Sequence, residues 1–350
     1  MSEERTAQPV SAAGGATAAL EVQPAWRRRH VLDLDDFSPA EIEAVMETTD
    51  AMREVLAREV PRVPALRGKT LVTLFYEAST RTRASFELAA KALGADVINI
   101  AASSSSVQKG ESLYDTVRTL QAVGAQVLVM RHGSSGAPYL VARHVQVNVI
   151  NAGDGWHAHP TQGLLDLYTM RSHLGDLRGK RVVIVGDIAH SRVARSNLWG
   201  LTTVGAEVVV CAPPTLLPYG MPSRARRPLR ASADGAPAEE PLALPRVQVE
   251  TDLDRAVAGA DVVMALRLQL ERMTSGLLPS LREYARLYQV TEERLARARP
   301  GALVMHPGPM NEGVEISPAV ARSLQSVIEE QVTNGVAVRM AVLYLLARGR

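Results

Sequence analysis

Seven consecutive residues, Glu77-Ala78-Ser79-Thr80-Arg81-Thr82-Arg83, crowd hydroxyl and guanidinium groups just ahead of a segment with helical periodicity. The unpaired N–H groups at a helix start carry partial positive charge, so acidic side chains normally settle there. Two arginines in that place oppose the helix dipole unless an anion joins them. With an anion present, hydroxyls, guanidinium groups and backbone N–H groups converge on one phosphate. The Gly-x-x-x-x-Gly-Lys pattern is missing, so the expected ligand is a small phosphate compound rather than ATP. A second cationic set comes later. Arg192 closes Gly186-Asp187-Ile188-Ala189-His190-Ser191-Arg192, and Arg267-Leu268-Gln269 follows a buried apolar run. Planar guanidinium groups suit carboxylates bidentately. Gly186-Asp187 is no dinucleotide turn, because Gly-x-Gly-x-x-Gly is absent. His159 either faces a ligand or braces a domain junction, and spacing fixes neither its tautomer nor its charge. No Ser–His–Asp or Cys–His set for covalent catalysis stands out.

These side chains need rigid supports, and the pattern of apolar residues supplies them. Ser38, Pro39 and Glu41 form a capping signature for a first helix carrying Ile42, Val45, Met46, Met52 and Val55. Strands are predicted at 71–76, 97–100, 127–130 and 147–150, with helices at 84–93 and 113–123. A second round predicts helices at 161–173 and 193–204 and strands at 182–185, 207–211, 262–266 and 303–305. A last helix covers about 325–346 and breaks near Asn334-Gly335. Such alternation implies an α/β fold of two domains, each a parallel sheet flanked by helices. Ligands then bind at the carboxyl ends of the strands, in the cleft between the domains. The expected division is a disordered tail over 1–27, a first domain over 28–158, a second over 159–324, and a helix over 325–350 returning to the first. A proline-rich segment over 213–245 reads as a mobile surface loop.

Composition narrows the function. With 350 residues and 46% hydrophobic content, the chain can fill two cores. A net charge of +2 argues against nucleic acid or an acidic membrane as the main partner. No apolar run is long enough for a membrane span, and the start reads as a tail rather than a signal peptide. A single cysteine, Cys211, excludes an internal disulfide and effectively excludes a thiolate metal site. It reads as a buried structural thiol suited to a reducing cytoplasm. The basic run Trp26-Arg27-Arg28-Arg29 reads as a solvated edge where the fold begins.

Taken together, Ser79-Thr80-Arg81-Thr82-Arg83 with Ser85-Phe86-Glu87, Ser105 to Lys109-Gly110-Glu111-Ser112, Arg131-His132, His159-Pro160-Thr161-Gln162 and His306-Pro307-Gly308-Pro309 form a series of ordered blocks. The series resembles the aspartate/ornithine carbamoyltransferase family over about residues 30 to 350. The Ser-Met-Gly and His-Cys-Leu-Pro blocks typical of the ornithine branch are absent, which points to L-aspartate as acceptor. The resemblance implies transfer of the carbamoyl group of carbamoyl phosphate to the aspartate amine, early in pyrimidine biosynthesis, with no cofactor and no metal; the alternatives are a carbamoyltransferase for another amino acid acceptor and a non-catalytic scaffold of the same fold. It assigns carbamoyl phosphate to Ser79, Thr80, Arg81, Thr82, Ser105, Arg131, His159, Gln162, Gly308 and Pro309. It assigns L-aspartate to Lys109, Arg192, Arg267 and Gln269, and the catalytic roles to Arg81, Thr82, Arg131 and His159. Arg83 supports the loop rather than the substrate. The family also implies a cytoplasmic homotrimer in which Ser105 and Lys109 reach the neighbouring site. A regulatory chain or a pathway enzyme is a further possible partner. Two departures stand out: Gly308 replaces a Leu found in some relatives, and Trp156-His157-Ala158 is bulkier than the usual small polar residues.

Overall fold

A computed structural model describes residues 26–101, 111–221, 244–270, 273 and 276–348. The chain alternates as the sequence predicts. Helix α1 (Pro39–Leu56) precedes β1 (Thr70–Phe75), α2 (Thr80–Ala92), β2 (Asp96–Ala101), α3 (Leu113–Ala122), β3 (Val127–His132), α4 (Ala137–His144) and β4 (Asn148–Asp154). Helix α5 (Pro160–Leu174) leads to β5 (Arg181–Val185), α6 (Arg192–Thr203), β6 (Glu207–Cys211), β7 (Gln248–Glu250), α7 (Leu253–Val257) and β8 (Val262–Ala265). Then come α8 (Leu281–Tyr288), α9 (Glu292–Leu295), β9 (Leu303–Met305), α10 (Pro318–Ala321) and α11 (Ile328–Arg348).

Among the described residues, two wholly parallel sheets form, ordered β2-β1-β3-β4 and β7-β6-β5-β8-β9. Alternation along β1 splits its side chains between two cores. Val72 and Leu74 join Val117, Leu128, Met130 and Val141 beneath α3 and α4. Leu71 and Phe75 face the other way, into the large core shared with α1, α2, α5 and α11. Helix α11 packs on α1, α2 and α5, and α5 packs on α6, so these helices tie the two sheets together. Ser38 caps α1 in the expected capping box, its hydroxyl accepting from Glu41 N–H while Glu41 accepts from Ser38 N–H.

Several expectations change. Helix α2 starts at Thr80, not Ala84, so Arg81 and Thr82 belong to its first turn; Ser79 is the N-cap residue, and its hydroxyl makes no capping bond. Helix α11 runs unbroken through Asn334-Gly335, because both residues are buried: Asn334 Nδ2 donates to Thr169 Oγ1 on α5 at 3.0 Å, and Gly335 lies against Leu165. Strand β7 and helices α4, α7, α8, α9 and α10 were not expected. The ends of the proline-rich segment are packed, with Leu216 and Leu244 buried and Leu216 O accepting from Ala189 N–H at 2.9 Å; residues 222–243 lie outside the described set. The basic run is not a solvated edge: Trp26 is buried edge-on to Phe37, and Arg28 stacks on Phe37 and pairs with Asp36 and Glu41. Cys211 is a buried thiol, pushed up to about 12 by burial. Among the described residues, no helix is long and apolar enough to cross a membrane.

Candidate active site

In an open parallel sheet, strands on either side of a topological switch send their connections to opposite faces, and a crevice opens at their carboxyl ends. The first sheet has this switch between β1 and β3, the second between β5 and β8. Beyond β1 come Glu77 to Thr82, and β3 ends on Arg131-His132. Beyond β5 come Gly186 to Arg192, and beyond β8 come Leu266 to Gln269. Strand β9, beside β8, delivers His306 to Pro309. Each of these segments contributes residues to one cavity of about 980 Å³, together with His159, Gln162, Gln331 and Arg339. Ser79, Thr80, Arg81, Thr82, Arg131, His159, Gln162, Arg192, Arg267, Gln269, Gly308 and Pro309 are thus brought together. Ser105 and Lys109 lie outside the described residues. Arg83 is exposed and does not line the cavity.

Phosphate-type chemistry concentrates at the start of α2. Arg81 Nη1 donates to Pro307 O at 3.2 Å, which carries the first turn of α2 across to the loop after β9. Gly308 makes that approach available. Its φ is +63°, and a Cβ there would sit 2.0 Å from Arg81 Nη1. Gly308 is therefore the space in which the arginine lies. His306 holds the loop: its Nδ1 accepts from Gly308 N–H at 2.8 Å, and its Nε2 lies 3.1 Å from Glu315 Oε1, both side chains being buried.

At the opposite wall, Glu77 gathers two guanidinium groups. Arg192 Nη2 donates to Glu77 Oε2 at 2.8 Å, and Arg131 Nε lies 3.4 Å from the same oxygen. Arg131 also donates to Ala152 O and Arg192 to Gly155 O, at 3.1 and 3.2 Å. Gly153, with φ +116°, lets both in, since a Cβ would meet Arg192 Nε at 2.9 Å and Arg131 Nη1 at 3.2 Å. The loop bearing Gln269 is fixed by Asp187, whose carboxyl group accepts from the Gln269 backbone and pairs with His190 Nδ1 at 2.8 Å. Trp156 stands edge-on to His190 at 4.8 Å and joins the two domains there.

His159 is the N-cap residue of α5 and is buried, its backbone N–H donating to Ser196 Oγ at 2.9 Å. Burial pushes its imidazole well below the usual histidine range, and the Arg131, Arg192 and Arg339 charges push the same way. It is therefore an uncharged ring facing a cationic cavity. Glu77, Asp166, Gln331 and Arg339 were not singled out by sequence reasoning. Glu77 stands two residues before Ser79, and Asp166 stands one helical turn after Gln162, so spacing could have flagged both. Arg339 sits in an otherwise apolar stretch of α11 and was legible as an oddity there.

Fold and cavity define a two-domain α/β protein with a cationic cavity at the facing switch points of two parallel sheets. Residues 29–172 match the family described as aspartate/ornithine carbamoyltransferase, carbamoyl-P binding domain, and residues 178–346 match its Asp/Orn binding domain. The chain belongs to the aspartate/ornithine carbamoyltransferase family. It is 63% identical over 321 residues to the aspartate carbamoyltransferase catalytic subunit of Chloroflexus aggregans, covering 92% of this chain and 99% of that one. Its fold matches the aspartate transcarbamoylase of Trypanosoma cruzi in complex with carbamoyl phosphate, with a TM-score of 0.77, 30% identity, and coverage of 92% of this chain and 97% of that one. The ornithine carbamoyltransferase of Pyrococcus furiosus gives a TM-score of 0.75 at 27% identity, covering 91% and 96%.

Proposed function

We propose that the protein is an aspartate carbamoyltransferase, joining carbamoyl phosphate and L-aspartate to give N-carbamoyl-L-aspartate and phosphate, early in pyrimidine biosynthesis. The observation that carries the reading is the single cavity in which the first turn of α2 faces Arg192, Arg267 and Gln269 of the second sheet. One wall suits a phosphate and the other suits carboxylates. Relatives named for this reaction, at 63% identity and nearly full coverage, support the choice of acceptor.

In this reading Ser79, Thr80, Arg81 and Thr82 hold the phosphate, with the N–H groups of α2 behind them. The aspartate amine attacks the carbonyl carbon, a C–N bond forms, and the C–O bond to phosphate breaks. Thr82, Arg131 and uncharged His159 donate to the carbonyl oxygen as negative charge grows on it. Arg81 stabilises the departing phosphate, which takes the amine proton. Gln162 and the backbone at Gly308 and Pro309 fix the carbamoyl amide, while Arg192, Arg267 and Gln269 hold the aspartate carboxylates. Orientation and electrostatics supply the rate, with no covalent enzyme intermediate. Residues 28–158 form the carbamoyl phosphate domain and 159–324 the aspartate domain. A cytoplasmic homotrimer, with Ser105 and Lys109 donated across subunits, completes the site and offers a surface to a regulatory chain.

Phosphate release from carbamoyl phosphate, followed with L-aspartate, L-ornithine and a neutral amino acid, tests the assignment. Release with aspartate alone is expected. Release driven by ornithine, or by no amine at all, overturns it. Tight binding of a bisubstrate phosphonate-dicarboxylate is also expected, and its failure would favour a non-catalytic scaffold.

A further inference from the structure

Asp166 lies on α5 one turn beyond Gln162 and is fully buried. Amide side chains from three helices converge on it. Gln162 Nε2 of α5 donates to Oδ1 at 2.9 Å, Gln331 Nε2 of α11 donates to Oδ1 at 2.8 Å, and Asn197 Nδ2 of α6 donates to Oδ2 at 2.8 Å. Which end of an amide is nitrogen is decided by its partners. For two of the three, a backbone group settles it. The His306 N–H can only donate, and it meets Gln331 Oε1 at 3.0 Å, so the Gln331 nitrogen must face Asp166. The Val193 carbonyl can only accept, and it meets Asn197 Nδ2 at 3.0 Å, so the same nitrogen faces Asp166. Both amides use Asp166 as an acceptor. A carboxylate that accepts on both sides leaves Gln162 one orientation: nitrogen toward Asp166, and Oε1 left for the cavity that Gln162 lines.

We propose that Asp166 is a specificity-determining positioning residue that, by holding the Gln162 amide nitrogen, presents Gln162 Oε1 as the acceptor selecting an acyl phosphate with an amino group on its carbonyl over one with a methyl group. The inference rests on the carbamoyl phosphate reading above. A carbamoyl N–H donates to Oε1; a methyl group cannot, and it leaves that acceptor unpaired in a desolvated site. Asp166 touches no substrate and acts through Gln162. The same carboxylate, through Gln331 and the His306 N–H, also steadies the loop bearing Gly308 and Pro309. Burial raises the Asp166 carboxyl group to about 6, against the three donated hydrogen bonds and the charge of Arg339 on α11. Arg339 is the charged side chain set against it, and Gln162, Asn197 and Gln331 are uncharged. A proton on Asp166 weakens its hold on Gln162 without any mutation.

Acetyl phosphate, which has the shape of carbamoyl phosphate but carries a methyl group, is the probe. Its Ki as a competitor is compared with the carbamoyl phosphate KM at saturating L-aspartate, between about pH 5 and 8, in the parent, Asp166→Asn, Gln162→Met and the double variant. Asp166→Asn is expected to raise the carbamoyl phosphate KM about tenfold and to move the acetyl phosphate Ki less than about twofold. In the Gln162→Met background it adds nothing. In the parent, the ratio of Ki to KM falls below about pH 6; in Gln162→Met it is flat. An unchanged ratio in Asp166→Asn overturns the proposal, as does an equal fall in the Gln162→Met background. Should Asp166→Asn not fold, the two pH profiles decide, and parallel slopes overturn the proposal. A parent that carbamoylates no aspartate at all sinks the assigned reaction instead, which is a separate result.

Discussion

Gly308 and Arg81 are a matched pair, and each explains the other. Arg81 lies where any side chain at 308 would be, so the phosphate wall depends on a missing Cβ. Gly308→Ala is expected to fold, because the atom it meets is the far end of a flexible side chain. Positive φ costs it about 1–2 kcal/mol of stability. Its kcat should fall toward that of Arg81→Ala, which loses about 10²–10³. Steady-state kinetics of the two variants, with a melting curve for each, check this. His159 carries a second residue-level prediction. Its folded pKa lies below the unfolded value, so the native state binds fewer protons once pH drops under about 6.5. The stability it contributes is present above that pH and is lost as pH falls. In the unliganded cavity, burial and the three guanidinium groups favour the uncharged ring. His159→Gln should therefore lower kcat/KM while leaving the acid limb of its pH profile in place; a displaced limb would assign that titration to His159.

At the scale of elements, α11 gives the clearest test. Replacing glycine by alanine inside a helix usually gains about 1 kcal/mol. At Gly335 the sign reverses. A Cβ there would lie 2.5 Å from Arg339 Nη1 and 3.3 Å from Leu165 Cδ2. Arg339 is buried and donates to Gly335 O at 2.8 Å, so making room for a Cβ breaks that hydrogen bond. Gly335→Ala should lose about 1–2 kcal/mol, read as a lower melting temperature. The same element shows where sequence reasoning stops. Asn-Gly is a breaker by local propensity, and tertiary packing overrides it here because a small residue is what lets α11 lie close to α5. Helix α2 was placed four residues late for the opposite reason. Its first turn carries arginines and hydroxyls with no acidic residue and no side-chain capping bond, so the usual start signals are missing.

For the whole molecule, the site exists because two sheets point their switch points at one another. Neither half alone supplies both walls of the cavity. If Ser105 and Lys109 complete the neighbouring site, inactive Lys109→Ala chains and inactive Arg81→Ala chains should recover activity when dissociated, mixed and reassembled. Random mixing of such trimers restores some sites with every group intact. Reassembled trimers without activity would place Lys109 in its own subunit's site or outside any site.

The sequence by itself determined eight of the nine strands and six of the eleven helices among the described residues, the parallel sheets and the cationic segments after β1, β5 and β8. Those features follow from local periodicity and from residue types with narrow chemistry, such as the run from Ser79 to Arg83. Tertiary structure alone decided that Glu77 sits between Arg131 and Arg192, that Arg81 occupies the space above Gly308, and that Asp166 orders three amides from three helices. Each of these joins residues far apart in the chain, and the free energy of a buried polar group depends on partners that no local window contains.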